Sequence, residues 1–157
     1  MKRIDPGVLI ERAVTEDAVA ILALQKLAYL SEARIYDDWN LPPLTQTLDS
    51  LLDEFANSVV LKSLDGDRLA GSVRAREDSG TCHIGRLVVA PNLQGRGIGT
   101  RLMQNIEAGF PRVPRFELFT GGRSEGNLRL YRRLGYHPCR EQVLTPVVTL
   151  VFLEKLR

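Results

Sequence analysis

Apolar residues recur along this chain with two different spacings, and the spacing changes from one segment to the next. Alternation or a short continuous apolar run is typical of a strand, whereas a repeat of three to four residues is typical of a helix. The pattern predicts strands over residues 8–13, 59–64, 68–77, 81–89, 115–119, 137–143 and 147–154. It predicts helices over residues 15–30, 44–55, 98–110 and 125–134.

This order of elements predicts an α/β fold with one mixed sheet. A helix separates the strands at 81–89 and 115–119, so we expect these two strands to be parallel and the others antiparallel. Thr15 and Ser124 stand where a helix N-cap is expected. The polar and aromatic segment 31–43 is expected to be a loop.

Composition narrows the class of protein. The 157 residues are long enough for one domain with a real core, and 44% are hydrophobic. The net charge of +2 comes without a basic run, which gives no indication of nucleic acid, and no apolar stretch is long enough to span a membrane. The N-terminus lacks the apolar core of a signal peptide, and the two cysteines, Cys82 and Cys139, form neither a metal-ligand nor a disulfide pattern. We therefore expect a cytoplasmic protein without a metal, a membrane or a nucleic acid as partner.

The most informative segment is the glycine-rich loop 94–100, which follows the apolar strand end Leu87–Val89 and precedes a helix. Glycines let the backbone approach a ligand closely, and the free N–H groups of a first helical turn favour an anion. The loop is neither the dinucleotide fingerprint, because Thr100 stands where the last glycine would be, nor a Walker A loop, because Gly-Lys-Ser/Thr is missing. It predicts a site for a phosphate or pyrophosphate.

The loop resembles the acetyl-CoA pyrophosphate loop of the GNAT superfamily of N-acetyltransferases, whose pattern is Gln/Arg-x-x-Gly-x-Gly/Ala. A second motif agrees, because Asn127 and Tyr131 precede Gly135 and Tyr136 in an Asn-x-x-x-Tyr-x-x-x-Gly-Tyr pattern. The resemblance covers nearly the whole chain, 1–157, as a single domain. It implies the GNAT-type acyl-CoA N-acyltransferase fold, with a six- to seven-stranded mixed sheet and about four flanking helices.

The resemblance also implies roles for particular residues, with acetyl-CoA as co-substrate. The implied cofactor-binding residues are Leu87, Val88, Val89, Gln94, Gly95, Arg96, Gly97, Ile98, Gly99, Thr100, Asn127 and Tyr131. Tyr131 is the expected general acid for the leaving thiolate, and the backbone N–H of Val88 or Val89 is the expected oxyanion donor beside a strand bulge. Arginines near the loop, among them Arg101 and Arg133, are further candidates for phosphate contacts.

The general base is a choice among several groups. His83 lies on the strand before the loop, and a histidine can take up a proton near neutral pH. Without a bulge, the alternation of side chains would place His83, Gly85, Leu87 and Val89 on one face. Glu77, Asp37, Asp38 and a chain of waters are the alternatives.

The acceptor region is expected between Tyr29 and Leu44. Tyr36, Asp37 and Asp38 are the candidate substrate-binding residues, together with the acidic Glu32, and Trp39 is expected to fill the core. The predicted function is transfer of an acetyl group from acetyl-CoA to a primary amine, on a small molecule or a peptide, by direct transfer in a ternary complex. The alternatives are an acyl-CoA-binding module without catalysis and a protein-modifying acetyltransferase. The apolar strand 147–153 could form a homodimer interface.

Overall fold

The computed structural model describes residues 8–157, and their seven strands form one mixed sheet. The strands are β1 (Val8–Arg12), β2 (Val59–Asp65), β3 (Arg68–Asp78), β4 (Thr81–Val89), β5 (Arg115–Gly121), β6 (His137–Thr145) and β7 (Val148–Leu156). They lie in the order β1-β2-β3-β4-β5-β7-β6, and β4 with β5 is the parallel pair, as predicted. The N-terminal segment 1–6, where the sequence lacks a signal-peptide pattern, is outside the described residues.

Six α-helices connect these strands within residues 8–157, which is two more than the pattern predicts. They are α1 (Ala18–Ala28), α2 (Leu30–Tyr36), α3 (Pro42–Thr45), α4 (Leu48–Asn57), α5 (Ile98–Ala108) and α6 (Glu125–Arg133). The prediction of a loop over 31–43 is therefore wrong, because α2 occupies its first part. Its register is set by two buried side chains, Ala33 and Tyr36, and not by an apolar repeat.

One of the two predicted helix caps, Thr15, and the predicted role of Trp39 are also wrong. Thr15 lies inside a 3₁₀ turn, and the side chain that accepts from the backbone N–H of Val14 is Asp17, at 2.8 Å. Ser124 is at the N-cap position of α6, but its hydroxyl bonds to other side chains and not to the helix. Trp39 is 52% exposed, so it does not fill the core.

Helices cover both faces of the central strands, and this explains why residues 70–75 of β3 are all buried. On one face β3 touches α5 so closely that a Cβ at Gly71 would lie 3.0 Å from the Leu102 side chain. On the other face Arg74 of β3 reaches Gln25 of α1, with 3.1 Å between Nη1 and Oε1. None of the helices within residues 8–157 is long and apolar enough to cross a membrane.

The parallel strands β4 and β5 stay together only at their first three rungs, Thr81–His83 with Arg115–Glu117. Beyond these rungs β4 pairs with β3 through a bulge, since Gly85 lies opposite Arg74 and Val88 opposite Ser72. The extra residue leaves room for Arg86 in the left-handed region, with φ 52°. The two strands diverge past the third rung, and a gap opens between them.

The bulge also changes which side chains share a face. Cross-strand partners lie on the same face of a sheet. His83 and Gly85 oppose Arg76 and Arg74, whereas Val89 opposes Gly71, on the α5 side. The alternation that would hold without a bulge therefore stops at Gly85.

The apolar strand expected at an interface is an internal strand. β7 pairs with β5 along one edge and with β6 along the other, and its Val148, Phe152 and Leu153 are buried. It has no free edge for a second copy, and the strand at this end of the sheet is β6. Homodimer formation remains a prediction.

Candidate active site

A cavity of about 300 Å³ lies at the N-terminus of α5, and we call it the loop cavity. Gly95 and Gly97 line it with positive φ angles of 82° and 80°, which glycine adopts without strain. Gly97 is the N-cap residue of α5, so the first N–H groups of this helix open toward the loop. The cavity is also lined by Leu87, Val88, Val89, Leu93, Gln94, Ile98, Gly99, Thr100, Gly126, Asn127, Leu130 and Arg133.

The loop cavity thus brings together ten of the twelve predicted cofactor-binding residues. Arg96 and Tyr131 are the two that do not line it. Of the other arginines considered, Arg133 lines the cavity, whereas Arg101 donates from Nη1 to the carbonyl oxygen of Val8 at 2.7 Å. Arg101 thereby ties α5 to β1 and points away from the loop.

A second cavity, of about 160 Å³, lies in the gap between β4 and β5, and we call it the strand cavity. Its polar residues include Tyr36, Arg86, Ser124 and Tyr131. Its apolar wall is formed by Leu41, Phe119, Leu144, Val148 and Leu150. The two cavities meet, because Tyr29, Glu32, Leu87 and Asn127 line both.

Tyr131 lies in the strand cavity near this junction and is only 7% exposed. Its hydroxyl has no hydrogen-bond partner within residues 8–157. Burial raises the pKa of Tyr131 above its ordinary value, and the nearby Tyr29 and Glu32 raise this pKa further. The phenol therefore stays protonated at neutral pH and can act as a proton donor.

Glu32 occupies the junction in a fixed position. Its Oε2 accepts from the Ser124 hydroxyl at 2.6 Å and its Oε1 accepts from the Asn127 amide at 3.0 Å. The Ser124 hydroxyl is also 2.7 Å from the hydroxyl of Tyr36. Tyr36 itself packs on Gly121, where a Cβ would collide with the phenol. These contacts connect α2 to the start of α6 across a separation of more than eighty residues.

His83 lies outside both cavities, in an adjoining depression that we call the histidine depression. This depression shares Ile84, Gly85, Arg86 and Phe119 with the strand cavity. Gly85 lines both, and a Cβ there would meet nothing within 4 Å. The His83 Nδ1 is 3.8 Å from Oε1 of Glu117, whose carboxylate also pairs with Arg115 and Arg140.

The other candidate bases and acidic acceptor residues lie farther away. Glu77, Asp37 and Asp38 line neither cavity, and Asp37 and Glu77 are exposed. Asp38 is engaged locally, since its Oδ1 accepts from the backbone N–H of Asn40 at 2.9 Å. Of the predicted acceptor residues, the structure brings Tyr36 and Glu32 into the strand cavity, but not Asp37 or Asp38.

Neither cysteine is arranged as a nucleophile. Burial, with the carboxylates of Glu77 and Glu107, raises the pKa of Cys82 to about 12, so its thiolate is scarce at neutral pH. Cys139 is exposed on β6, outside both cavities. Within residues 8–157 no group of three or more His, Cys, Asp or Glu residues is placed to hold a metal ion.

Sequence reasoning did not single out Arg86 and left the position of the bulge open. The spacing of apolar residues does not predict the left-handed conformation of Arg86, because the bulge arises from the pairing of β3 and β4. The contact of Glu32 with Asn127 likewise joins residues 95 apart in sequence, and no local signal identifies it.

Comparison with known proteins identifies the family. The model of the acetyltransferase (GNAT) family matches residues 20–136. A search of curated protein sequences gives no match.

Solved structures of similar fold cover almost the entire chain. The PaiA N-acetyltransferase from Thermoplasma acidophilum, in complex with coenzyme A, superposes with a TM-score of 0.79 at 15% identity, covering 96% of this chain and 99% of that one. A ribosomal-protein-alanine N-acetyltransferase from Brucella melitensis gives 0.73 at 20% identity, with 95% and 99% covered. The yncA protein from Salmonella typhimurium, with its cofactor acetyl-CoA, gives 0.73 at 18% identity, with 96% and 94% covered. At these identities the likeness establishes the fold.

Proposed function

Because this chain belongs to the acetyltransferase (GNAT) family, we propose that it transfers an acetyl group from acetyl-CoA to a primary amine, by direct transfer in a ternary complex. The observation that carries the proposal is the meeting of two cavities at the splayed strands β4 and β5. One cavity has the glycine loop and a helix N-terminus, and the other holds a buried tyrosine. A thioester at the junction would be open to an amine from the second cavity.

Acetyl-CoA would bind with its pyrophosphate at the loop cavity. Backbone N–H groups at the start of α5 and the hydroxyl of Thr100 would contact the phosphates, where the helix dipole favours negative charge. Arg96 and Arg133 would add positive charge. Similar structures contain coenzyme A or acetyl-CoA, which supports this choice of co-substrate.

The pantetheine arm would run from the loop along the end of β4 to the junction. Asn127 faces both cavities and would bond to the amide groups of the arm, beside the backbone of Leu87, Val88 and Val89. The backbone N–H of Val88 or Val89 would then donate to the oxyanion that forms on the thioester carbonyl.

Tyr131 would be the general acid. The amine nitrogen forms a bond to the acetyl carbon, the carbon–sulfur bond breaks, and the leaving thiolate takes the phenolic proton. The support is its buried position in the strand cavity near the junction, with a hydroxyl that has no other hydrogen-bond partner within residues 8–157.

Two groups are proposed as the base that frees the amine of its proton. His83 could act through water across the open space at Gly85. Glu32 is the second candidate, because its carboxylate lies at the junction itself. Asp37 and Asp38, if they attract a cationic acceptor, would do so from a distance.

A size argument favours a small acceptor. Cavities for drug-sized ligands are typically about 300–1,000 Å³, whereas the strand cavity measures about 160 Å³. The cytoplasmic location expected from the sequence remains a prediction.

A screen of amine acceptors tests the function. Thiol release from acetyl-CoA is measured with small primary amines and with short peptides of matched sequence. Release with small amines is the expected result. Release only with peptides would make the protein a protein-modifying acetyltransferase, and tight acetyl-CoA binding without release would make it a binding module.

A further inference from the structure

Arg86 lies at the bulge of β4, where it borders both the strand cavity and the histidine depression. Its φ of 52° is uncommon for a residue other than glycine. Its Nε is buried and has no hydrogen-bond partner within residues 8–157. A buried donor without a partner destabilises a protein, so its presence beside a cavity needs an explanation.

The charges around Arg86 do not balance. Its charged neighbours are Arg74 and Glu54, with the phenol of Tyr29 as a hydrogen-bond partner. Glu54 is already bound by Arg74, through contacts of 2.9 Å from Nε and 3.0 Å from Nη2. Two guanidinium groups therefore share one carboxylate. Burial lowers the pKa of Arg86, as does the like charge of Arg74, yet an arginine remains charged in a protein.

The opposite charge, that of Glu32, lines the same strand cavity. Glu32 lies at the junction near Tyr131, where Ser124 and Asn127 hold its carboxylate. Tyr29 lines the strand cavity with both residues, and the charges of Arg86 and Glu32 shift its pKa in opposite directions. The strand cavity is thus lined by a cation, by an anion near the expected acid, and by an apolar wall.

We propose that the acceptor is an α-amino acid with an apolar side chain. Its carboxylate pairs with Arg86, its amine enters beside Glu32, and its side chain lies on the wall of Leu41, Val148 and Leu150. An arginine matches a carboxylate with two parallel hydrogen bonds, which would add acceptors to the phenol of Tyr29 that the guanidinium already contacts. This inference rests on the proposed function for the identity of the reacting amine.

The test compares amino acids with their amides, which keep the amine and side chain but lose the negative charge. The pairs are L-leucine, L-methionine and L-phenylalanine, each with its amide, and thiol release gives kcat/KM. A charge-assisted hydrogen bond contributes about 1.5–3 kcal/mol, so we expect at least a tenfold preference for the acid in the best pair. Arg86→Gln should reduce this preference to threefold or less.

Arg68→Gln is the matched control, because it removes the same charge from an exposed position at the start of β3. It should leave the preference unchanged. Arg86→Gln should fold, since it removes an unpaired donor and a like charge beside Arg74. If it is insoluble, Arg86→Lys takes its place and should reduce the preference at least threefold.

Calorimetry of the same pairs with the CoA-bound protein separates this inference from the proposed function. Tighter binding of the acids in the wild type, lost in Arg86→Gln, would support the inference even if no amine were acetylated. If the amides were acetylated with the same kcat/KM as the acids, the proposed function would be upheld and the inference would be overturned. A preference that survives in Arg86→Gln, or no binding of any acid to the CoA-bound wild type, would also overturn it.

Discussion

Tyr131 and Tyr136 lie side by side, and a comparison of the two separates a chemical role of a hydroxyl group from a structural one. The rings of Tyr131 and Tyr136 contact each other edge to face, with 6.2 Å between their centroids. The Tyr136 hydroxyl donates to Glu107 at 2.7 Å, whereas that of Tyr131 has no such partner within residues 8–157. Loss of the two hydroxyls should therefore have opposite consequences.

Tyr131→Phe should lower kcat by about 10²- to 10⁴-fold, which is the usual contribution of a general acid. The free energy of unfolding and the affinity for acetyl-CoA should be nearly unchanged, because no hydrogen bond is lost. Tyr136→Phe should lower the free energy of unfolding by about 1–3 kcal/mol and leave kcat close to that of the wild type. Turnover, calorimetry and urea unfolding of both variants are the measurements. Near-normal turnover in Tyr131→Phe would remove this residue from the mechanism.

His83→Ala should flatten the acidic limb of the profile of kcat/KM against pH, if His83 is the base. Protonation of the imidazole would remove the base at low pH, so a variant without the imidazole would show no further loss of kcat/KM from this cause. His137→Ala is the control, since His137 is exposed on the edge strand β6. An acidic limb that persists in His83→Ala but flattens in Glu32→Gln would assign the base to Glu32.

At the scale of elements, the strands and the glycine loop could be predicted because their signals are local. The strand 81–89 and the start of α5 at Ile98 agree with the structure to the residue. α2 was missed because its register depends on the packing of Tyr36 against Gly121, a contact between distant segments. The bulge at Arg86 depends on pairing with β3, which a single strand sequence does not contain.

Gly97→Asp should abolish acetyl-CoA binding, because a carboxylate at the N-cap of α5 would lie against the pyrophosphate. The left-handed backbone there, with φ 80°, also strains any side chain. Gly97→Asn carries almost the same strain without the charge, so it should bind acetyl-CoA more tightly than Gly97→Asp. Gly66→Asp, in a hairpin turn with φ 66° and open space around it, controls for strain alone. Equal affinities in Gly97→Asp and the wild type, measured by calorimetry, would exclude this loop as the pyrophosphate site.

At the scale of the whole molecule, one buried arginine connects the helices to the sheet. Arg74 of β3 is 3% exposed and donates to Glu54 of α4, Gln25 of α1 and Gln46. Gln25 donates in turn to the carbonyl oxygen of Pro43 at 2.8 Å. These contacts fix Pro43, which lines the strand cavity, relative to the bulge on β4. Stability and the shape of the acceptor site therefore depend on the same ion pair.

Glu54→Gln should lower the free energy of unfolding at pH 7 by about 1–3 kcal/mol, because it leaves the buried Arg74 charge without its carboxylate. Burial by itself would raise the pKa of Glu54, but the hydrogen bonds and charge of Arg74 lower it below the ordinary value. A carboxylate with a lowered pKa stabilises the folded state fully above its unfolded pKa, and this stabilisation is lost as the pH falls through the folded pKa. The difference between wild type and Glu54→Gln should accordingly shrink below about pH 4.

Urea unfolding of both proteins between pH 7 and pH 3 measures this difference. Asp17 and Glu117, whose pKa values are also lowered, titrate equally in both proteins and cancel. Asp53→Asn removes the same charge from an exposed position of α4 and should show no such pH dependence. If Arg74 also shapes the strand cavity, Glu54→Gln should raise KM for the acceptor and leave the affinity for acetyl-CoA unchanged. A stability difference that stays constant down to pH 3 would show that the pair with Arg74 does not stabilise the fold through its charge.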